Sequence, residues 1–239
     1  MKRLVAGGES FAPEAREYLA EVWGCPVHNT YGSTEGSMCG ECVEHTGLHV
    51  PEDLVHMDVY DPGMQSFVRD GECGRIVLST LIGKGEVCGT LLINYDTEDS
   101  SVVISRDRCE CGRTHLRIMN PTREAETFQA GGAFFNRTDV ERGVFQRPNM
   151  EYLTGEYEAS LYAESGKTTL QVSMECLDIS ACEKELVTEN FLKSFLRHRP
   201  VLAEACQDGA FDIVFNFVDL GGLELSLSKG RPKRLVDRR

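Results

Sequence analysis

The first thirty residues predict a strand, a helix and a second strand, and this order constrains the fold more than any other feature. Residues 4–6 form a short apolar run that ends at two glycines. A helix is predicted over Pro13–Trp23, because Pro13 suits a first helical turn. Its apolar face comprises Ala15, Tyr18, Leu19 and Val22. A second strand is predicted at 26–30. Because a βαβ unit joins parallel strands, we expect a parallel sheet whose other strands come from outside this chain.

The remaining sequence predicts two further parts. Over residues 47–118, strand-like segments alternate with tight turns, which indicates a β-rich barrel or sandwich. Its predicted strands lie at 54–61, 74–80, 89–95 and 101–105, with a turn at 83–86. A break near 121–123 precedes a hairpin at 156–178, a helix at 181–197 and a strand at 211–219, which form an α+β unit. We therefore expect domains at 1–46, 47–122 and 124–239.

Composition and charge narrow the classes of function. The chain has 239 residues, 41% of them hydrophobic, and a net charge of −13. A nucleic-acid partner is not expected, because phosphate backbones require clustered cations. We find neither an apolar run long enough to span a membrane nor a signal peptide, so we expect a cytoplasmic protein without a membrane partner. In that setting the ten cysteines indicate a metal or plain thiols rather than disulfides.

Two motifs predict a site for an adenine nucleotide. In HNTYGSTE (28–35), Tyr31 offers a flat face for a purine, and Gly32 allows close approach of the backbone. Thr34 can donate its hydroxyl to a phosphate, and Glu35 can bind Mg²⁺ on that phosphate. In LINYDTED (92–99, with Leu91 before it), Asp99 can accept two hydrogen bonds from a ribose. The alternative for the first motif alone is a polar turn after a buried strand.

The cysteine spacing predicts a structural zinc site. Cys109 and Cys111 form a CxC pair, which fits a turn, and we combine them with Cys42 and His49. One alternative replaces His49 by Cys39 and gives four sulfur ligands. His45 is a weaker candidate, and a set of reduced cysteines without a metal is a further alternative. Such a zinc would join two segments that are far apart in sequence.

The same segments resemble the adenylate-forming enzyme superfamily. YGSTEG and YDTED are typical of the superfamily, and GEC…GLH with CECGRTH is similar to its phenylacetate-CoA ligase branch. NYDTED and REAETF most resemble synthetases that adenylylate the deazaflavin coenzyme F-420 to its AMP adduct F-390. AGGES and GRPKR extend the similarity over almost the whole chain. The resemblance implies the C-terminal part of such an enzyme: an α/β fragment, a β-rich barrel and an α+β C-terminal domain, with the N-terminal half absent.

The resemblance also implies roles for individual residues. Gly8 and Glu9 line the adenine pocket, Tyr31 stacks on the base, and Arg123 contacts the ribose together with Asp99. Residues 124–126 are the hinge about which the small domain rotates. ATP or AMP and Mg²⁺ are the implied cofactors.

The tail departs from the family pattern. Where the family carries a lysine that reaches the adenylation site, GRPKR has Arg231, and Lys233 follows two residues later. Arginine keeps the charge but not the compact donor geometry of lysine. We therefore treat both residues as candidates for the catalytic cation.

A second departure concerns the phosphate-binding loop. The Ser/Thr/Gly-rich loop that holds the outer phosphates in the family has no counterpart here, so we expect no ATP turnover by the chain alone. A truncation, a split gene product or a relic would each explain this, and pairing with a missing N-terminal half or with a second copy is expected. The acceptor is either the deazaflavin or, as in aryl-CoA ligases, an aromatic acid. The remaining alternative is a non-catalytic, zinc-stabilised nucleotide-binding or regulatory module.

Overall fold

The computed structural model describes residues 1–8, 11–35, 38–81, 90–123, 127–164, 166–226 and 230–239. The chain divides into two compact units. The first contains Met1–Ser10 and Ala20–Glu124, and the second contains Phe11–Leu19 and Ala125–Arg239. Each unit has its own cluster of buried apolar side chains. None of the helices in the described residues combines the length and apolar character needed to cross a membrane.

The βαβ prediction is confirmed. Strands β1 (Leu4–Gly7) and β2 (Val27–Gly32) pair in parallel, and helix α1 (Pro13–Trp23) joins them. The burial of the helix differs from the prediction, since Val22 is 59% exposed and Ala15 is its only buried residue.

On the β2 side the sheet continues within the same chain, which our expectation did not include, whereas β1 stands at the other end of the described strand order. Beyond β2, the remaining partners are antiparallel and extend it to ten strands. The 1–46 and 47–122 segments therefore share one sheet in the described residues. Its further strands are β3 (Met38–Glu41), β4 (Leu48–His49), β5 (Val55–Asp61), β6 (Ser66–Phe67), β7 (Cys73–Thr80), β8 (Tyr95–Ser105), β9 (Arg117–Ile118) and β10 (Thr122–Arg123). Their order is β1-β2-β3-β4-β9-β8-β7-β5-β6, and β10 also pairs with β8.

The strand predicted at 89–95 is wrong for its described part. Residues 90–94 are not in a strand, and β8 begins only at Tyr95, so that YDTED lies within it. Asn94 and Glu98 have positive φ angles of 49° and 61°. Such angles interrupt regular pairing, and the β7–β8 register shifts between Arg75 and Val77. The predicted turn at 83–86 lies outside the described residues.

The second unit is built on a four-stranded sheet with helices against it. The predicted hairpin forms from β13 (Leu153–Glu164) and β14 (Lys167–Cys176), and the predicted strand at 211–219 is β15 (Phe211–Val218). The order is β15-β14-β13-β16, where β16 is Leu235–Asp237. The other elements are strands β11 (Thr127–Ala130) and β12 (Ala133–Asn136), helices α2 (Arg137–Val144), α3 (Lys184–Arg197) and α4 (Pro200–Gln207), and a 3-10 helix at Arg147–Glu151.

Candidate functional site

A buried carboxylate lies at the centre of the predicted nucleotide site. Asp99, on β8, is 5% exposed. The Tyr31 hydroxyl donates to its Oδ2 at 2.7 Å, and the Arg123 Nε donates to its Oδ1 at 3.1 Å. Because β10 pairs with β8 so that Arg123 stands directly opposite Asp99, the register of the sheet sets this contact. The structure thus brings together three residues from three separate sequence motifs.

The tyrosine is held as a hydrogen-bond donor. Burial, followed by the hydrogen bond to Asp99 and the charge of that carboxylate, raises the pKa of Tyr31 well above its usual value. Its hydroxyl therefore stays protonated at neutral pH. The ring packs against the apolar core of the first unit.

The predicted phosphate-side residues lie beyond the end of β2. Glu35 accepts a long hydrogen bond from the Tyr95 hydroxyl, at 3.5 Å, and Tyr95 lies on the same strand as Asp99. Hydrogen bonds from the Glu35 backbone N–H and then from the Ser33 and Thr34 hydroxyls lower the pKa of Glu35. Its carboxylate is therefore ionised, as binding of a hard cation requires. Sequence reasoning overlooked Tyr95, although it lies inside the LINYDTED motif.

The structure does not bring the other residues predicted to bind the nucleotide into the group of side chains around Asp99. Gly8 follows β1 with a φ of +86°, and Gly32 is the exposed last residue of β2. Glu9 and the hinge at 124–126 lie outside the described residues. Arg231 and Lys233 belong to the second unit, where Lys233 lines a cavity of about 460 Å³.

The four preferred zinc ligands lie together in the first unit. One ligand atom from each of Cys42, His49, Cys109 and Cys111 is within 4.8 Å of all the others. The Sγ atoms of Cys42 and Cys109 are 3.9 Å apart, and the Cys111 Sγ is 3.6 Å from the His49 Nε2. On one tetrahedral zinc, two thiolates stand roughly 3.8 Å apart, and a thiolate and an imidazole nitrogen roughly 3.5 Å. The donor set therefore fits zinc in type and in spacing.

The electrostatics of this cluster suit ligation. A hydrogen bond from the Cys111 backbone N–H is the main cause that lowers the pKa of Cys109 to about 7. Burial lowers the pKa of His49, which keeps the imidazole neutral, whereas burial raises the pKa of Cys42 and so disfavours its thiolate when no ion is bound. Within the described residues, the His49 Nδ1 is buried and has no hydrogen-bond partner, so packing rather than an acceptor holds the ring.

The alternative with four sulfur ligands is wrong in this structure. Cys39 is fully buried in the apolar core of the first unit and is absent from the cluster of possible ligands. Because β3 pairs with β2 so that Cys39 faces Tyr31, its side chain points into that core. Burial raises the pKa of Cys39 to about 12, which disfavours the thiolate that zinc needs. His45, the weaker candidate, lies instead with His28 and Glu41.

Comparison with known proteins identifies the fold. No family model matches the chain. It is 31% identical over 122 residues to a phenylacetate-coenzyme A ligase of Thermus thermophilus, which covers 49% of this chain and 26% of that protein. A solved 2-hydroxyisobutyryl-CoA ligase, in the postadenylation state with 2-HIB-AMP, matches 100% of this chain and 48% of its own, at 19% identity and a TM-score of 0.72.

A benzoate CoA ligase of Burkholderia xenovorans gives a similar match, with a TM-score of 0.57 at 16% identity. The match covers 98% of this chain and 44% of the benzoate CoA ligase. The chain therefore has the fold of adenylate-forming ligases, and the predicted fold class is confirmed. It spans about a quarter of the Thermus protein and about half of these solved structures.

Proposed function

We propose that this chain forms the part of an ATP-dependent adenylating ligase that holds the ribose and the α-phosphate. The buried Asp99 carboxylate, bound from two sides by Tyr31 and Arg123, is the observation that carries the proposal. A carboxylate whose two oxygens are both held by hydrogen-bond donors suits two vicinal hydroxyl groups. Arg123 is 68% exposed, so it can turn aside for the sugar or add a bond to it.

The other predicted residues surround this position in our proposal. Tyr31 lies against the adenine, with Gly8 and Glu9 on the other side of the base. Thr34 donates its hydroxyl to the α-phosphate, and Glu35 holds Mg²⁺. That ion, when bound, neutralises the charge that develops on the phosphate oxygens. Arg231 and Lys233 remain the two candidates for the catalytic cation.

The proposed reaction is the transfer of AMP to an oxygen nucleophile. The nucleophilic oxygen attacks the α-phosphorus in line, the bond to the bridging oxygen breaks, and pyrophosphate leaves. The protein positions the reactants and stabilises the charge of the transition state. When the nucleophile is a carboxylate, coenzyme A can then attack the acyl-AMP and release AMP.

An aromatic carboxylate is the first candidate acceptor, because the Thermus relative is named a phenylacetate-coenzyme A ligase. The deazaflavin F-420 is the second, and the resemblance of NYDTED and REAETF favours it. Assays should use the chain together with any further segment its gene encodes. CoA-dependent AMP release with phenylacetate supports the carboxylate. A stable AMP adduct formed from F-420 without CoA supports the deazaflavin.

We also propose that Cys42, His49, Cys109 and Cys111 hold a structural zinc ion. The Cys42–Cys109 and Cys111–His49 separations match a tetrahedral site, and all four positions are taken by protein. A closed site of this kind stabilises the fold and leaves no position for a substrate.

A binding experiment tests the nucleotide site directly. We expect Asp99→Asn to weaken AMP binding, measured by titration calorimetry, by about tenfold or more, because it removes an acceptor and the charge that strengthens it. Asp96→Asn is the matched control, since Asp96 is on the same strand but pairs with Arg75 at 3.1 Å. Equal affinity for AMP in all three proteins would contradict the proposal. AMP binding with no adenylation of either acceptor would favour the non-catalytic module.

A further inference from the structure

His28, at the start of the HNTYGSTE motif, has no role in the proposed nucleotide site. It lies on β2, where successive side chains point to opposite faces of the sheet, so it faces away from Tyr31 three residues later. Its side chain is buried, and the residue is only 7% exposed. In the described part of the chain, its Nδ1 is buried without a hydrogen-bond partner. A buried, unpartnered nitrogen is costly unless something binds it.

Two further potential metal ligands, a carboxylate and a second imidazole, lie beside His28. Glu41, at the end of β3, and His45, in the following turn, each bring a donor atom within 4.8 Å of the others in the group. The Glu41 side chain is 5% exposed, and its Oε2 accepts from the Asn29 backbone N–H at 2.7 Å. A carboxylate fixed in this way against β2 is a preorganised ligand rather than a solvated surface charge.

The spacing of these donors agrees with a bound ion. The His45 Nδ1 is 3.3 Å from the Glu41 Oε2. Two N or O donors at about 2.0–2.1 Å from one tetrahedral ion stand roughly 3.3 Å apart. The His28 and His45 rings have centroids 4.8 Å apart and nearly parallel planes, at 15°. The His45 side chain is 35% exposed, so its ring has room to turn toward an ion.

The donor types of the group favour a cation. The buried Nδ1 of His28, which has no hydrogen-bond partner among the described residues, can offer its lone pair to an ion. Two imidazoles and a carboxylate are a common set of ligands for divalent transition ions, and His₂Glu is a known zinc set that leaves a fourth position open.

We propose that His28, Glu41 and His45 form a second site for a divalent transition-metal ion, where the end of β3 and the turn after it meet His28 on β2. The site is separate from the cysteine cluster in its ligands. It is adjacent in sequence, because Glu41 directly precedes Cys42. The exposed side of His45 leaves a position for water. The residues match zinc best among common ions, and zinc is the probe for the test.

Metal stoichiometry tests this proposal. Metal-free chain titrated with Zn²⁺ against a chromophoric chelator should bind two equivalents. Glu41→Gln and His45→Asn should each reduce this number to one. Asn suits position 45 because the φ angle there is +51°, a conformation that Asn tolerates. His56→Asn is the matched control, since His56 also lies beside a carboxylate, Asp58 at 3.0 Å, and it should leave both equivalents in place.

Cobalt distinguishes the two sites without relying on a variant that folds poorly. On titration of the unmodified chain with Co²⁺, the thiolate-to-cobalt charge-transfer band should saturate with one equivalent. The other equivalent should add only weaker visible bands. His45→Asn should remove the second contribution and keep the charge-transfer band. Saturation of the unmodified chain at one equivalent, or two equivalents retained in both Glu41→Gln and His45→Asn, would overturn the proposal.

Discussion

At the scale of single residues, the second unit depends on a buried acid as much as the first unit does. Glu141 is 2% exposed, and its Oε1 accepts from the Arg137 Nε at 2.7 Å. Its Oε2 accepts from the Ala12 backbone N–H at 3.0 Å, and the Tyr157 hydroxyl donates to Oε1 at 3.4 Å. Every group around this carboxylate is a donor, so a neutral side chain of the same shape cannot replace it without loss.

We therefore expect Glu141→Gln to lower the free energy of unfolding by about 3 kcal/mol, because Arg137 would lose its counter-ion and the new amide N–H₂ would face other donors. Tyr157→Phe removes the long bond to Glu141 and the hydroxyl oxygen that accepts from Arg137, and it should cost about 1–2 kcal/mol. Urea unfolding measures both. Glu204→Gln, at an exposed position of α4, is the control and should change stability by less than about 0.5 kcal/mol. A Glu141→Gln effect as small as that of the control would contradict this account.

Residue types and their spacing predicted part of the candidate site, and the register of the sheet decided the rest. The CxC pair at 109–111 and the YDTED segment could be recognised because their metal-binding or polar residues are close together in the sequence. The choice between Cys39 and His49 could not be made in this way. It depends on which face of β3 and β4 each side chain occupies, and that is set by pairing with β2 and β9. The grouping of His28 with Glu41 and His45 has the same origin, since β2 and the segment 41–45 meet only in the folded sheet.

At the scale of secondary structure, strong local signals succeeded and weak ones failed. Pro13 and the apolar spacing after it predicted α1 with the observed bounds, and the hairpin of β13 and β14 follows from two long alternating runs. Helix α4 (Pro200–Gln207) was missed, because eight residues give little periodicity to detect. The strand predicted at 89–95 was placed too early, since β8 begins at Tyr95, and the positive φ angles of Asn94 and Glu98 interrupt regular pairing there.

The packing of α2 on α3 gives a test at this scale. Gly143 lies on α2 under the fully buried ring of Phe191, and a Cβ at position 143 would overlap that ring. Alanine improves helix propensity by about 1 kcal/mol, whereas overpacking a closed core costs about 1–3 kcal/mol. Because Phe191 is also flanked by the rings of Phe195 and Phe215, it cannot move away easily. We expect Gly143→Ala to be net destabilising in urea unfolding.

A double-mutant cycle identifies the cause of that loss. If the clash with Phe191 is responsible, Gly143→Ala should be neutral or stabilising when Phe191→Leu is already present, because a smaller side chain makes room for the methyl group. The same destabilisation in both backgrounds would mean that the contact between α2 and α3 is not its source.

At the scale of the whole molecule, the cysteine cluster joins segments that are distant in sequence. Cys42 follows β3, and Cys109 lies 67 residues later, between β8 and β9. These segments belong to the same half of the first sheet, where β4 and β9 have only two residues each. Strands this short contribute few backbone hydrogen bonds. A covalent or metal link across a loop of this length lowers the entropy of the unfolded chain, which stabilises the folded state by about 4 kcal/mol.

We therefore expect zinc to act as a structural clamp on the first unit. The double variant Cys109→Ser/Cys111→Ser should lose one equivalent of zinc by elemental analysis, and its free energy of unfolding should fall by about 4 kcal/mol or more. A strong chelator should lower the melting temperature of the unmodified chain toward that of the double variant.

Two further cysteine variants are the controls. Cys73→Ser, at an exposed thiol, should leave zinc content and stability unchanged, and Cys39→Ala should keep its zinc because its side chain lies in the apolar core. Loss of the same equivalent in Cys39→Ala would restore the alternative with four sulfur ligands. An unchanged zinc content in the double variant would instead mean that these thiolates do not bind the ion, and the short strands would then have to be stabilised by packing alone.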